Sequence, residues 1–109
     1  MAKKWGRVIT AMVTPFDDSQ EVDYRAARRL ARHLLASGTD AVLLSGTTGE
    51  SPTLSHAEKI NLWREVVDEL GGDGTVIAGT GTNSTRDSVA LTEEAERIGV
   101  HGVMLVAPY

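Results

Sequence analysis

Short apolar runs rich in β-branched residues alternate along this chain with longer stretches whose apolar residues recur every three or four positions. Val8 to Val13 is such a run, interrupted only by Thr10, and Thr14-Pro15 ends it because proline has no N–H to give a strand ladder. Asp17-Asp18-Ser19-Gln20 then reads as a turn, Asp23 as the N-cap of a helix and Val22 as the residue that staples its start. In that helix Ala27, Leu30, Ala31, Leu34 and Leu35 fall on one face, and Gly38 predicts its end. Arg25, Arg28, Arg29 and Arg32 lie largely off that face, which predicts a solvated helix surface rather than a phosphate patch.

Ala41 to Leu44 is unbroken apolar sequence, the pattern of a strand buried on both faces of a parallel sheet. Ser55-His56-Ala57-Glu58 has the spacing of a capping box, so a second helix starts there. Ile60, Trp63, Val67 and Leu70 keep its period, with Trp63 as a core residue, and Gly71-Gly72 closes it. Val76 to Ala78 predicts a third strand, followed by a helix capped at or near Ser84, with Leu91, Ala95 and Ile98 inward and Gly99 at its end. Gly102 to Val106 predicts a fourth strand, broken by Pro108. Strand then helix, repeating at roughly thirty residues, is the size of a βαβ unit and implies parallel strands with right-handed crossovers. The fold class is α/β. The turns rich in Gly, Thr and Ser all follow strands, at the end where α/β barrels and open α/β sheets alike place their ligands.

Composition narrows the function classes. The 109 residues are the size of one domain, and 41% hydrophobic with 24% charged residues is ordinary globular composition. A net charge of −4 with no long basic block gives no footprint for nucleic acid. The chain has no cysteine, which removes disulfides, thiolate metal sites and a cysteine nucleophile together. No apolar run approaches the ~20 residues that cross a bilayer. Met1-Ala2-Lys3-Lys4-Trp5 leads into a stretch too short and too mixed for an export signal, so the expectation is a cytoplasmic protein that meets no membrane.

The stretch richest in candidate chemistry is Ser45-Gly46-Thr47-Thr48-Gly49-Glu50-Ser51, directly after the second strand. Its glycines let a ligand approach the main chain, where successive N–H groups converge on an anion. A threonine hydroxyl both donates and accepts, and β-branching restricts its rotamers, which suits proton passing or fixed recognition. The plain alternative is a strand-to-helix turn whose residues serve geometry and capping. Gly79-Thr80-Gly81-Thr82-Asn83-Ser84 partly copies a dinucleotide fingerprint, but Ser84 stands at its third glycine position. Asn83-Ser84-Thr85 matches a glycosylation sequon that a chain without an export signal does not use. His33, His56 and His101 are scattered and lack metal-ligand spacing, so no metal is expected.

Gly46 to Ser51, preceded by Thr10-Ala11-Met12-Val13-Thr14-Pro15-Phe16 and followed by Ala78-Gly79-Thr80-Gly81 and Val106-Ala107-Pro108-Tyr109, closely resembles the dihydrodipicolinate synthase (4-hydroxy-tetrahydrodipicolinate synthase) family. The resemblance runs from about Gly6 to Tyr109. N-acetylneuraminate lyases and other pyruvate-dependent aldolases of the same superfamily usually carry serine at the position of Thr47, so Thr47 favours the synthases. Such a lyase, or a small nonenzymatic α/β module that binds an anion, is the alternative. The resemblance implies the first half of a (β/α)₈ barrel, with about four strands and three helices. Residues 1–109 are then the amino-terminal half of a domain more than twice as long, truncated after its fourth strand.

It also implies a reaction. In the family a lysine forms an imine with pyruvate, whose methyl carbon attacks aspartate semialdehyde before the adduct cyclises; no cofactor or metal takes part. The setting is lysine and diaminopimelate biosynthesis in a cytoplasmic homotetramer. Lys3, Lys4 and Lys59 are the only lysines, and none matches the imine-forming position. Exposed lysines near a pKa of ~10.4 are poor nucleophiles, so the 109 residues alone are expected to be inactive.

By the same resemblance Thr47 is the catalytic threonine of a proton relay, and Thr48 binds the substrate carboxylate. Tyr109 matches the first of a tyrosine pair at a subunit interface. A feedback site for lysine at that interface is implied for Ser51, Pro52, His56, Lys59, Gly81, Asn83, Asp87 and Tyr109. Asp87 suits an ammonium, whereas Lys59 does not. Responsive members tend to carry histidine or an acid there, and a second ammonium adds repulsion of ~1 to ~4 kcal/mol at about 4 Å. Weak or no inhibition by lysine is the expectation, unless Lys59 points to solvent and has no bearing on the site.

Overall fold

The computed structural model describes residues 5–107. Its elements in chain order are β1 (Ile9–Ala11), α1 (Tyr24–Ala36), β2 (Ala41–Leu44), a single 3₁₀ turn (Ser51–Thr53), α2 (His56–Leu70), β3 (Thr75–Gly79), α3 (Thr85–Ile98) and β4 (Gly102–Met104). The four strands form one parallel sheet in the order β1-β2-β3-β4. This is the α/β architecture expected, the first half of a (β/α)₈ barrel. Sequential order without reversal means that, among the described residues, the sheet has no switch point of the kind at which doubly wound sheets bind dinucleotides.

Caps set the helix starts. Asp23 accepts from the Ala26 N–H, Ser84 accepts from the Asp87 N–H, and Ser55 with Glu58 forms the full reciprocal capping box. The larger core lies between the sheet and the helices. Val42, Leu44, Val76 and Ala78 pack there against Ala27, Ala31, Leu62, Trp63, Val66, Leu70, Leu91 and Ala95. Ala41, Leu43 and Ile77 point to the other face and meet Met104. Strands buried on both faces explain why β2 and β3 read as unbroken apolar runs.

Three expectations need correction. The outer strands are shorter than Val8 to Val13 and Gly102 to Val106, because among the described residues β1 pairs only with β2 and β4 only with β3. Val8, Val13, Leu105 and Val106 are left exposed beyond the ladder. The arginine run is not simply a solvated face: Arg28 reaches Glu65, Asp68 and Glu69, and Arg32 reaches Glu69 and Asp73, tying α1 to α2. Lys59 is not exposed either. It sits at an inward position of α2 with 4% of its surface accessible.

Candidate active site

The sequence places its hydroxyl- and glycine-rich turns after β1, β2 and β3, and parallel pairing brings those strand ends side by side. A cavity of about 270 Å³ opens there. Ser45, Gly46, Thr47, Ser51 and Pro52 line it from the β2 side, Gly79 and Gly81 from β3, and Met104 and Val106 from β4. Thr47 therefore sits on the wall of the cavity, with an exposed side chain. Thr48, next to it, is exposed but not part of that wall.

The loop after β2 is held at several points. Ser45 has φ 52°, the left-handed region that a residue with a side chain enters at a cost of about 1 kcal/mol or more. Its hydroxyl is buried, donates to the Gly79 carbonyl at 3.1 Å and accepts from the Trp63 indole N–H at 2.9 Å. Farther along, the Thr14 hydroxyl donates to the Gly49 carbonyl at 2.7 Å, which ties the loop to the end of β1. The Ser51 N–H donates to the Gly46 carbonyl at 3.2 Å, closing the loop on itself, and Glu50 makes a second left-handed turn at φ 61°.

Glycine at 79 and 81 follows from the same crowding. A Cβ on Gly79 would stand 2.5 Å from the Ser45 carbonyl oxygen, and one on Gly81 would collide with the backbone N of Val106. The partial dinucleotide pattern is therefore a packing requirement between strand ends, with Ser84 serving as an N-cap.

The residues expected at an effector site divide. Ser51, Pro52 and Gly81 belong to the cavity wall. His56 and Asn83 are exposed at the starts of α2 and α3. Burial pushes the Lys59 ammonium below its ordinary pKa, and the charge of Asp87 opposes that shift. Tyr109 lies outside the described residues.

Several contributors escaped the sequence reading. Met104 and Val106 stood in a predicted strand but carried no signal as lining residues. Trp63 was legible as core, whereas its hydrogen bond to Ser45 joins residues 18 positions apart and has no sequence signature. Among the described residues no three His, Asp or Glu side chains are grouped to hold a metal, and no helix is long and apolar enough to cross a membrane.

Comparison with known proteins gives a consistent result. The profile of the dihydrodipicolinate synthetase family matches residues 4–109. The 4-hydroxy-tetrahydrodipicolinate synthase of Desulforudis audaxviator is 59% identical over all 109 residues, which cover 37% of its length. The crystal structure of a dihydrodipicolinate synthase from Bacillus anthracis superposes with a TM-score of 0.94 at 48% identity, over 97% of this chain and 36% of that one. The enzyme from Cyanidioschyzon merolae, solved with lysine bound, gives 0.93 at 46% identity, over 96% of this chain and 36% of its own. The chain thus spans little more than a third of the length of the relatives it matches.

Proposed function

The chain belongs to the dihydrodipicolinate synthetase family, and from that premise we propose that it supplies the amino-terminal half of a 4-hydroxy-tetrahydrodipicolinate synthase barrel. The enzyme condenses pyruvate, held as a lysine imine, with aspartate semialdehyde in lysine and diaminopimelate biosynthesis. The observation that carries this reading is Thr47 on the wall of a cavity at the carboxyl ends of three parallel strands.

Thr47 passes protons during the carbon–carbon bond-forming steps that follow imine formation, using one hydroxyl that both donates and accepts. Thr48 holds the pyruvate carboxylate. Lys59 lies on α2 and does not line the cavity, which supports the reading that it is not the imine-forming group. The reaction therefore needs residues beyond these 109, and the segment alone is inactive. No cofactor or metal enters the chemistry. The working enzyme is a cytoplasmic homotetramer.

A protein of full family length carrying these residues provides the test. Thr47→Val keeps the shape of the side chain and removes the hydroxyl. Turnover falls on the order of 10²–10⁴-fold, while borohydride still traps the pyruvate imine. Unchanged turnover contradicts the assignment. Thr48→Val instead raises the pyruvate KM.

Ser51, Pro52, His56, Lys59, Gly81, Asn83, Asp87 and Tyr109 form the effector region. The Cyanidioschyzon merolae relative with lysine bound supports a lysine site in such proteins. Here Lys59 is buried and already feels the charge of Asp87. A cationic effector meets like charge, and lysine inhibits weakly or not at all. Inhibition curves before and after Lys59→His decide this: strong inhibition of the unmodified enzyme by micromolar lysine contradicts it.

A further inference from the structure

We infer that Trp63 and Ser45 are positioning residues, a buried indole–hydroxyl pair on which the placement of Thr47 depends. The inference rests on the proposed synthase reading for its consequence in turnover, and on geometry for its substance.

Trp63 is fully buried on α2, so its indole N–H has no water to turn to, and its donor is satisfied by the Ser45 hydroxyl at 2.9 Å. Ser45 has its own hydroxyl hydrogen directed to the Gly79 carbonyl at 3.1 Å. A hydroxyl has one hydrogen to give, and here the donating and accepting roles are both taken. The side chain is therefore locked between a helix and the end of β3. Its backbone is also committed, because φ 52° at a residue with a Cβ persists only where surrounding contacts hold it. Ser45 is the last fixed point before Gly46 and Thr47. The left-handed turn at Ser45 sets the direction in which the chain leaves β2, and hence where the Thr47 hydroxyl stands on the cavity wall.

Neither Trp63 nor the Ser45 hydroxyl is assigned a contact with substrate. Their effect passes through Thr47, and misplacement of a reacting group by about 1 Å costs on the order of 10²-fold in rate. The far end of the loop has its own tether, from Thr14 to Gly49. Loss of the Trp63–Ser45 pair therefore moves Thr47 more than it moves Gly49.

The test uses Trp63→Phe, Ser45→Ala and the double variant in a protein of full family length carrying this segment. Two readouts are taken: kcat and pyruvate KM for condensation, and hydrogen exchange of the Gly46–Gly49 amides measured against the Val76–Ala78 amides of β3. Each single variant is expected to lose roughly 10-fold to 10²-fold in kcat, with a much smaller change in KM. The Gly46–Gly49 amides exchange faster by a larger factor than those of β3. The double variant is no worse than the poorer single one, because both substitutions remove the same hydrogen bond. A merely structural role predicts equal acceleration throughout and no split between kcat and KM. Multiplying losses, or unchanged loop exchange in both singles, overturns the inference. Should Trp63→Phe fail to fold, Trp63→His takes its place, since it shortens the indole and leaves the Ser45–Gly79 bond intact, whereas Ser45→Ala removes that second bond as well. Unchanged loop exchange in both Trp63→His and Ser45→Ala overturns the inference. Should the unmodified protein fail to condense pyruvate, the synthase reading falls, and selective exchange of the loop still upholds or rejects the pair.

Discussion

The two ends of the sheet put left-handed backbone on different residues: Gly6, Gly38, Gly71 and Gly99 before the strands, Gln20, Ser45 and Glu50 after them. At the amino ends of the strands, Gly38 and Gly99 follow helices with φ of +113° and +95°, and space is open where a Cβ would stand. Only their backbone angle matters. At the carboxyl ends, Gly46, Gly49, Gly79 and Gly81 have no positive φ, yet a Cβ on each would press on a neighbouring side chain or backbone. Positive φ falls there on Ser45 and Glu50, which carry side chains. One end turns the chain economically; the other draws strand ends together around a cavity and tolerates strained backbone to do so. Among the described residues, left-handed backbone on residues that carry side chains is confined to the carboxyl ends of the strands, which marks that end as the strained one.

The largest effect that sharpens this contrast comes from adding one methyl group at each end. Gly79→Ala drives a Cβ onto the Ser45 carbonyl and is expected to cost about 3 kcal/mol, the upper range for overpacking, together with loss of pyruvate binding. Gly99→Ala places alanine in the left-handed region for about 1–2 kcal/mol and leaves pyruvate binding intact. Urea unfolding combined with pyruvate titration checks both. Equal costs, or binding lost in both variants, would break the comparison.

Next in size is the tether from β1. Thr14→Val leaves the Gly49 carbonyl without its buried donor and is expected to cost about 1–3 kcal/mol. Thr14→Ser keeps the hydroxyl and restores most of the loss. Thermal unfolding of the two variants side by side reads this out, and identical losses would mean that the bond is not what Thr14 contributes.

The smallest effect belongs to the amino end. The Asp40 carboxylate accepts from the Val8 N–H at 2.9 Å and the Arg7 N–H at 2.8 Å, and these donors hold its pKa below the ordinary carboxylate value. The folded chain thus binds this proton less readily than the unfolded chain. The stabilisation is complete above the unfolded pKa, about 3.9, and is lost as pH falls through the lower folded value. Asp40→Asn should lower the Tm at pH 7, and the gap to the unmodified protein should close as the pH is taken below about 4. Pyruvate binding should not change. A gap that persists in acid would assign the effect to packing rather than charge.

Much of this architecture is legible in the chain. The capping box at Ser55 and Glu58, the cap at Asp23 and the glycine stops appear where local chemistry demands them, because capping acts over three or four residues. The ends of β1 and β4 were misjudged, since Val8 and Leu105 have strand-like character but no ladder partner among the described residues. Arg28 and Arg32 read as solvated because sequence does not say which helix lies opposite. Lys59 is different, for its burial was readable: positions 59, 62, 63, 66 and 70 follow the helical period, and the charge at 59 obscured an inward position. At the site, Thr47 was legible through its motif. The Ser45–Trp63 and Thr14–Gly49 bonds were not, because they join residues 18 and 35 positions apart that only the folded sheet brings together.

The central proposal is that the carboxyl ends of these strands bind pyruvate and the amino ends do not. Amide chemical shifts followed by NMR during a pyruvate titration test it most directly, in a protein of full family length carrying these residues. The account predicts saturable shifts concentrated at Gly46–Ser51 and Gly79–Gly81, with Gly38–Asp40, Gly71–Gly74 and Gly99–His101 unmoved. Saturable shifts centred on the amino-end turns, or none at Gly46–Ser51, would contradict it.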